Sequence, residues 1–237
     1  MANGRSWGLN AVEHRSITDH VISELRTAIV TGRIGANEPL RESPLAQVMG
    51  TGRSSVREAI RHLIGEGLVE YRLNRGAFVR LISVHDAYDV YLARQAIEMT
   101  AVAHVLEQPE APDLAPLQLR LNEIILAAAA TPGRAPAGVE LVSADLDFHR
   151  EMVALAASPR LSRAHDTLAA EAQMLMLHQP FYPLTDYAGD HRILFDALKE
   201  RDPEAPDKVR HHLRLSAQLV ASEIERMSNA RTGAESE

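Results

Sequence analysis

The chain has 237 residues, a formal net charge of −7, 46% hydrophobic residues and no cysteine. That length supports one or two domains with proper cores, and the absence of cysteine excludes disulfides and thiolate metal sites. No apolar run approaches the roughly 20 residues of a membrane helix, and the first residues lack the apolar stretch of a signal peptide, so a cytoplasmic protein is expected.

The charge is unevenly placed. Residues 1–80 hold 11 Lys/Arg against 8 Asp/Glu, whereas residues 81–237 hold 14 against 24. A basic module joined to an acidic one points to a polyanionic partner for the first part only.

In chain order, residues 1–15 read as a loose arm and 16–80 as a first domain. A helix is predicted up to about Val30, with Val21, Ile22, Leu25 and Ile29 on one face, ended by Gly32. Glu42 to Met49 forms a second short helix, with Leu45, Val48 and Met49 as its apolar residues. After the tight Gly50-Thr51-Gly52 turn, Ser54 to Ile64 is a third helix, and Gly65 and Gly67 break it. Leu68 to Arg72 and Ala77 to Leu81 are the strands of a hairpin around Leu73-Asn74-Arg75-Gly76. Three helices and a hairpin in this order make a winged helix-turn-helix.

Beyond Ser83 strand formers are scarce and Ala and Leu abound, so only helices are expected. They fall near 84–107, 113–130, 138–157, 160–179, 186–201 and 205–228. Pro109, Pro112, Pro132, Pro136, Pro180, Pro183 and Pro203 separate them. The fold class is therefore mainly α: a winged helix-turn-helix, then an antiparallel all-helical bundle of about six helices over 81–228, then a disordered tail, 229–237.

Arg53, Arg57 and Arg61 are four apart and share one face of the third helix. Such a helix fits the major groove, where the planar fork of arginine bonds guanine O6 and N7 or a phosphate. By charge spacing alone, the same arginines could be a solvated face paired with Glu42 and Glu58. The run Arg53-Ser54-Ser55-Val56-Arg57-Glu58-Ala59, followed by Gly67-Leu68-Val69 and the basic Arg75-Gly76 turn, resembles a GntR-type transcription regulator over residues 17–80. The resemblance implies a DNA-binding set of Arg41, Arg53, Ser54, Ser55, Arg57, Arg75 and Gly76. Arg53 and Arg57 would be base or phosphate readers, Arg41 a phosphate contact and Arg75 a wing contact. The sequence departs from the family at Thr51-Gly52, where Val-Ser is usual, at Ser55 for Pro, and at Ser43-Pro44, where a charged residue is common.

In the second part Asp145 and His149 lie i,i+4 on an apolar helix face with Val142, Met152 and Val153. His191 opens another helix. On the last helix His212 is in phase with Val209, Ser216 and Leu219, while His211 falls on the polar face. One aspartate and three histidines suit a divalent metal such as zinc, nickel or manganese; the alternative is core histidines paired with carboxylates. Residues 84–225 resemble the helical effector (FCD) domain of the FadR subfamily, with Asp145-Leu146-Asp147-Phe148-His149 as its D-x-x-x-H marker. The resemblance implies a metal held by Asp145, His149, His191 and His212, although the interval between the last two histidines is one residue short. Arg94 sits on a face that should be buried, one turn before Glu98, either as a buried ion pair or as an anchor for a carboxylate effector. His178 is in phase with Met174 and Leu175 and is a second effector-binding candidate.

Together these readings describe a homodimeric regulator, a repressor in the commoner case, that binds a double-stranded DNA operator and is released by a small carboxylate-type effector. Two alternatives remain. The metal could be purely structural, or the chain could be a metal-dependent enzyme, although no nucleophile elbow or phosphate loop is present.

Overall fold

The first three helices fold because their apolar residues share faces. The computed structural model describes residues 17–130, 138–177 and 187–234. Helix α1 (Ile17–Val30) buries Val21, Ile22, Leu25, Ile29 and Val30. Helix α3 (Arg53–Gly65) turns Val56, Ala59, Ile60 and Leu63 toward them and leaves its arginines outside. Between them α2 (Glu42–Val48) buries only Ala46. Val48 stands about 200° around the helix from Ala46 at 100° per residue, and it is 85% exposed.

Strands β1 (Val69–Arg72) and β2 (Gly76–Val79) pair antiparallel, with Val69 opposite Val79 and Arg72 opposite Gly76. Asn74 at φ 60° and Gly76 at φ 92° reverse the chain in the left-handed region, which asparagine and glycine tolerate best. Pro39 bridges to Phe78, and Leu40 N–H donates to Ala77 O at 2.9 Å, so the wing is fastened to the segment leading into α2.

Among the described residues seven helices follow: α4 (Val84–Glu107), α5 (Ala115–Ala130), α6 (Val139–Ala154), α7 (Pro159–Asp166), α8 (Ala169–Leu177), α9 (Tyr187–Lys199) and α10 (Ala205–Ala234). Ser83 and Asp86 start α4 with a reciprocal cap: Asp86 N–H donates to the Ser83 hydroxyl and Ser83 N–H to the Asp86 carboxylate. The stretch expected as one helix over 160–179 is two. At Thr167 the side-chain hydroxyl donates to Ala164 O at 2.7 Å and Leu168 N–H donates to His165 O, which closes α7 in a tight turn. The break lets α7 turn His165 into the core while α8 takes its own direction. The last helix, expected to end near 228, runs through Ala234.

Helices α4 and α10 pack along much of their length, and α5, α6 and α9 close over them around Phe148, Leu117, Leu121, Ile124 and Met152. Met174 of α8 belongs instead to the core of the N-terminal domain.

Candidate functional site

Two candidate sites emerge among the described residues, a groove on the surface of the N-terminal domain and a buried cluster inside the helical domain. On the N-terminal domain, a groove of about 790 Å³ runs between α2, α3 and the wing, bordered by Arg41, Glu42, Arg57, Arg61 and Arg75. Arg41 is the N-cap residue of α2, and Gly76 lines the groove at the wing. Arg53, Ser54 and Ser55 form the first turn of α3 and are not part of the lining. Arg75 is exposed and lies 5.4 Å from the Phe78 ring centre. Arg72 is turned inward, 4.5 Å from the same ring centre and bonded to Asn37 and Glu70. Arg57 is held by Glu42 through two bonds, Nε to Oε1 at 2.8 Å and Nη2 to Oε2 at 2.6 Å.

In the helical domain the structure brings Asp145 and His149 of α6, His191 of α9 and His212 of α10 together. One donor atom from each lies within 4.8 Å of all the others. Tetrahedral ligands at about 2.1 Å from a common ion stand about 3.4 Å apart, so inward shifts of less than about 1 Å close the set. His211 is exposed, one position away.

The hydrogen bonds behind these rings decide which nitrogen faces inward. His149 Nδ1 lies 2.6 Å from Glu98 Oε2, and His191 Nδ1 lies 2.8 Å from the carbonyl of Tyr187. Both partners are pure acceptors, so each Nδ1 carries the proton and each Nε2 presents a lone pair to the cluster. Both Nε2 atoms are buried without a hydrogen-bond partner among the described residues. His191 Nε2 is only 2.9 Å from Asp145 Oδ1, which already accepts the Tyr187 hydroxyl at 2.6 Å. A lone pair facing a carboxylate oxygen at that distance is repulsive until a proton or a metal cation stands between them. The donor set therefore fits a divalent metal with nitrogen and oxygen ligands.

Electrostatics agrees. Burial opposes the charge on Asp145, but the imidazoles of His191 and His149 and the more distant Arg94 hold its carboxyl below the usual range. Burial pushes His149 and His212 down, so both stay neutral and available as ligands. Glu98 is fully buried, yet His149 and Arg94 hold its carboxyl well below the ordinary value.

Arg94 forms the ion pair that its spacing suggested: Nε donates to Glu98 Oε1 at 2.9 Å. Its Nη2 is buried with no partner among the described residues. His178, the other effector-binding candidate, lies outside the described residues. Three residues beyond the expected ligand set complete the arrangement. Glu98 orients His149; His165 reaches Glu98 Oε1 with Nε2 at 3.1 Å; Tyr187 orients both Asp145 and His191. Tyr187 stands one helical turn before His191, and that spacing is the signal that could have found it.

The family descriptions match both parts of this architecture. Residues 17–79 match the bacterial regulatory proteins of the gntR family, and residues 89–215 match the FCD domain. The chain belongs to the GntR family. It is 30% identical over 213 residues to the "Probable D-xylose utilization operon transcriptional repressor" of Paenarthrobacter nicotinovorans, covering 86% of this chain and 91% of that one. It is 28% identical over 219 residues to the HTH-type transcriptional regulator Mce2R of Mycobacterium tuberculosis, covering 86% and 91%. Among solved structures, a GntR transcriptional regulator from Rhodococcus sp. RHA1 aligns with a TM-score of 0.74 at 24% identity, covering 88% of this chain and 99% of that chain. McbR/YncC of E. coli aligns at 0.68 and 20%, covering 91% and 100%. This GntR protein is a transcriptional regulator and not an enzyme. Among the described residues, no helix is long and apolar enough to cross a membrane.

Proposed function

We propose that this GntR regulator acts in the cytoplasm as a homodimeric repressor. Its recognition helix α3 and wing read the operator, and a small carboxylate bound beside a divalent metal in the helical domain releases it. Arg53 and Arg57 are the proposed base or phosphate readers, with Ser54, Ser55, Arg41, Arg75 and Gly76 around them. Two such modules related by a twofold axis would require two half-sites. A homologue named as a repressor supports the sign of regulation.

The observation that carries the effector reading is the pair of buried imidazole Nε2 atoms, of His149 and His191, that have no hydrogen-bond partner among the described residues and lie beside Asp145. Asp145, His149, His191 and His212 would hold the metal, which supplies Lewis acidity for an oxygen ligand. Charge then indicates the ligand's sign. Asp145 and Glu98 carry two negative charges in this core and Arg94 one positive. A divalent ion turns that balance from −1 to +1, which an anion neutralises, and Arg94 Nη2 is the available donor for a carboxylate.

The test is metal analysis of the purified protein, then melting curves with acetate, lactate, malate and citrate, with and without chelator. The expected result is stoichiometric metal and stabilisation of several degrees by at least one acid, as binding well above Kd requires. The shift should disappear on chelation and in Arg94→Ala. Bound metal should fall in the double variant His149→Ala with His191→Ala. Metal without any carboxylate response would instead favour a structural centre. Absence of metal from the wild type would sink the proposal.

A further inference from the structure

We propose that Glu42 is a specificity-determining residue, clamping one edge of Arg57 so that the other end of its guanidinium reads a base rather than a phosphate. The inference rests on the reading of Arg57 as a DNA contact.

Glu42 begins α2 and Arg57 lies on α3, so the pair joins the two helices of the helix-turn-helix. The contact is a two-bond fork, Nε to Oε1 at 2.8 Å and Nη2 to Oε2 at 2.6 Å. A guanidinium has five N–H donors in a fixed plane. The fork occupies the Nε–H and one Nη2–H. It leaves both Nη1 hydrogens and the other Nη2–H, an end-on pair that matches guanine O6 and N7. Pro44 lies in the first turn of α2, where its fixed φ suits the helix and stiffens the backbone that carries Glu42.

The surroundings argue against a merely decorative ion pair. Among the described residues lining the groove, Glu42 is the one carboxylate, set among Arg41, Arg57, Arg61 and Arg75. A carboxylate facing DNA repels the phosphate backbone and lowers affinity for every sequence. What it returns is direction. An arginine freed from Glu42 can swing to the nearest phosphate, where it carries no sequence information.

The experiment starts by selecting duplexes from a randomised pool with the full-length wild-type protein. Affinities of the wild type, Glu42→Gln and Arg57→Ala are then measured for the selected duplex, its single-base variants and a scrambled duplex, at several salt concentrations. For Glu42→Gln we expect several-fold tighter binding to the scrambled duplex and a salt slope steeper by about 1, as one more cation meets phosphate. We also expect about a tenfold loss of discrimination at one guanine in each half-site, the size of one good bidentate pair. Unchanged discrimination in Glu42→Gln, with Arg57→Ala impaired, overturns the clamp and leaves the DNA reading standing. Weaker binding of Glu42→Gln to both duplexes also overturns the clamp, because Glu42 would then serve only the fold. If Arg57→Ala binds every duplex as the wild type does, the reading of Arg57 fails and the clamp fails with it.

Discussion

Glu98 carries three partners on two oxygens: His149 on one, Arg94 and His165 on the other. It fixes the tautomer of His149, and Arg94 compensates its charge in a closed core. Glu98→Gln should therefore weaken metal binding by about 10–100-fold, measured by competition with a chromophoric chelator. It should also cost about 3–5 kcal/mol of stability, since Arg94 is left buried without its counter-charge. Unaltered metal affinity would remove Glu98 from the site. The same residues set an acid limit on the metal-free protein. His149 and His212 are held below 6.5 by burial, so in the fold they stay neutral while in the unfolded chain they protonate. The unfolded state then binds more protons, and stability rises with pH in that window. The melting temperature in chelator should be level above about pH 7 and fall as pH drops below 6.5. In His212→Gln the fall should be shallower, and an identical slope would contradict the assignment. Asp145 and His149 are legible in the sequence because both lie on one apolar face. Glu98 is legible only as a neighbour of Arg94, since its bond to His149 spans 51 positions and no local period encodes it.

At the scale of elements, α8 departs most from its sequence pattern. Periodicity runs through residues 160–179, and the turn at Thr167-Leu168 carries no glycine or proline to announce it. What splits the helix is tertiary: α7 must turn His165 toward Glu98, whereas α8 must reach α1. The outcome is that Met174, on a helix of the FCD domain, is 1% exposed inside the core of the DNA-binding domain. The other helices of the bundle are legible because prolines or capping residues bracket them, and the wing because Asn74 and Gly76 supply its left-handed positions. Domain contacts have no such punctuation. Met174→Ala should cost about 2–5 kcal/mol, the range for emptying a packed methionine site. Part of that loss should appear as earlier unfolding of residues 17–80, followed by amide exchange in α1 and α3. If α1 exchanges as in the wild type while α5 and α6 loosen, Met174 belongs energetically to the helical domain.

For the whole molecule, the proposed coupling of ligand to operator requires a basic domain and an acidic one to be held in one orientation. Arg80, just beyond β2, is placed to do this. Its Nη1 donates to Glu171 Oε2 of α8 at 2.7 Å and its Nη2 pairs with Asp86 at the start of α4. Gly67 joins the same point. At φ 74° it occupies a conformation that side chains rarely adopt, and a Cβ there would come within 2.4 Å of the Glu171 carboxyl carbon. Burial pushes the Glu171 carboxyl above its ordinary range, with Arg80 opposing, so removing Arg80 should weaken the charge that ties α8 to the wing. From there α8 packs on α6, which carries Asp145 and His149, giving a short route from the proposed metal to the recognition module. Coupling between two sites is typically about 1–3 kcal/mol, or roughly 5–150-fold in affinity. In the wild type, DNA affinity measured with zinc and with chelator should differ within that range. In Arg80→Ala the metal should still bind and still raise the melting temperature, because none of its ligands is touched. The difference in DNA affinity should shrink toward none. If Arg80→Ala responds to zinc as the wild type does, the signal passes through Met174 and the packed faces of α1 and α8, and the charged joint only fixes the resting orientation.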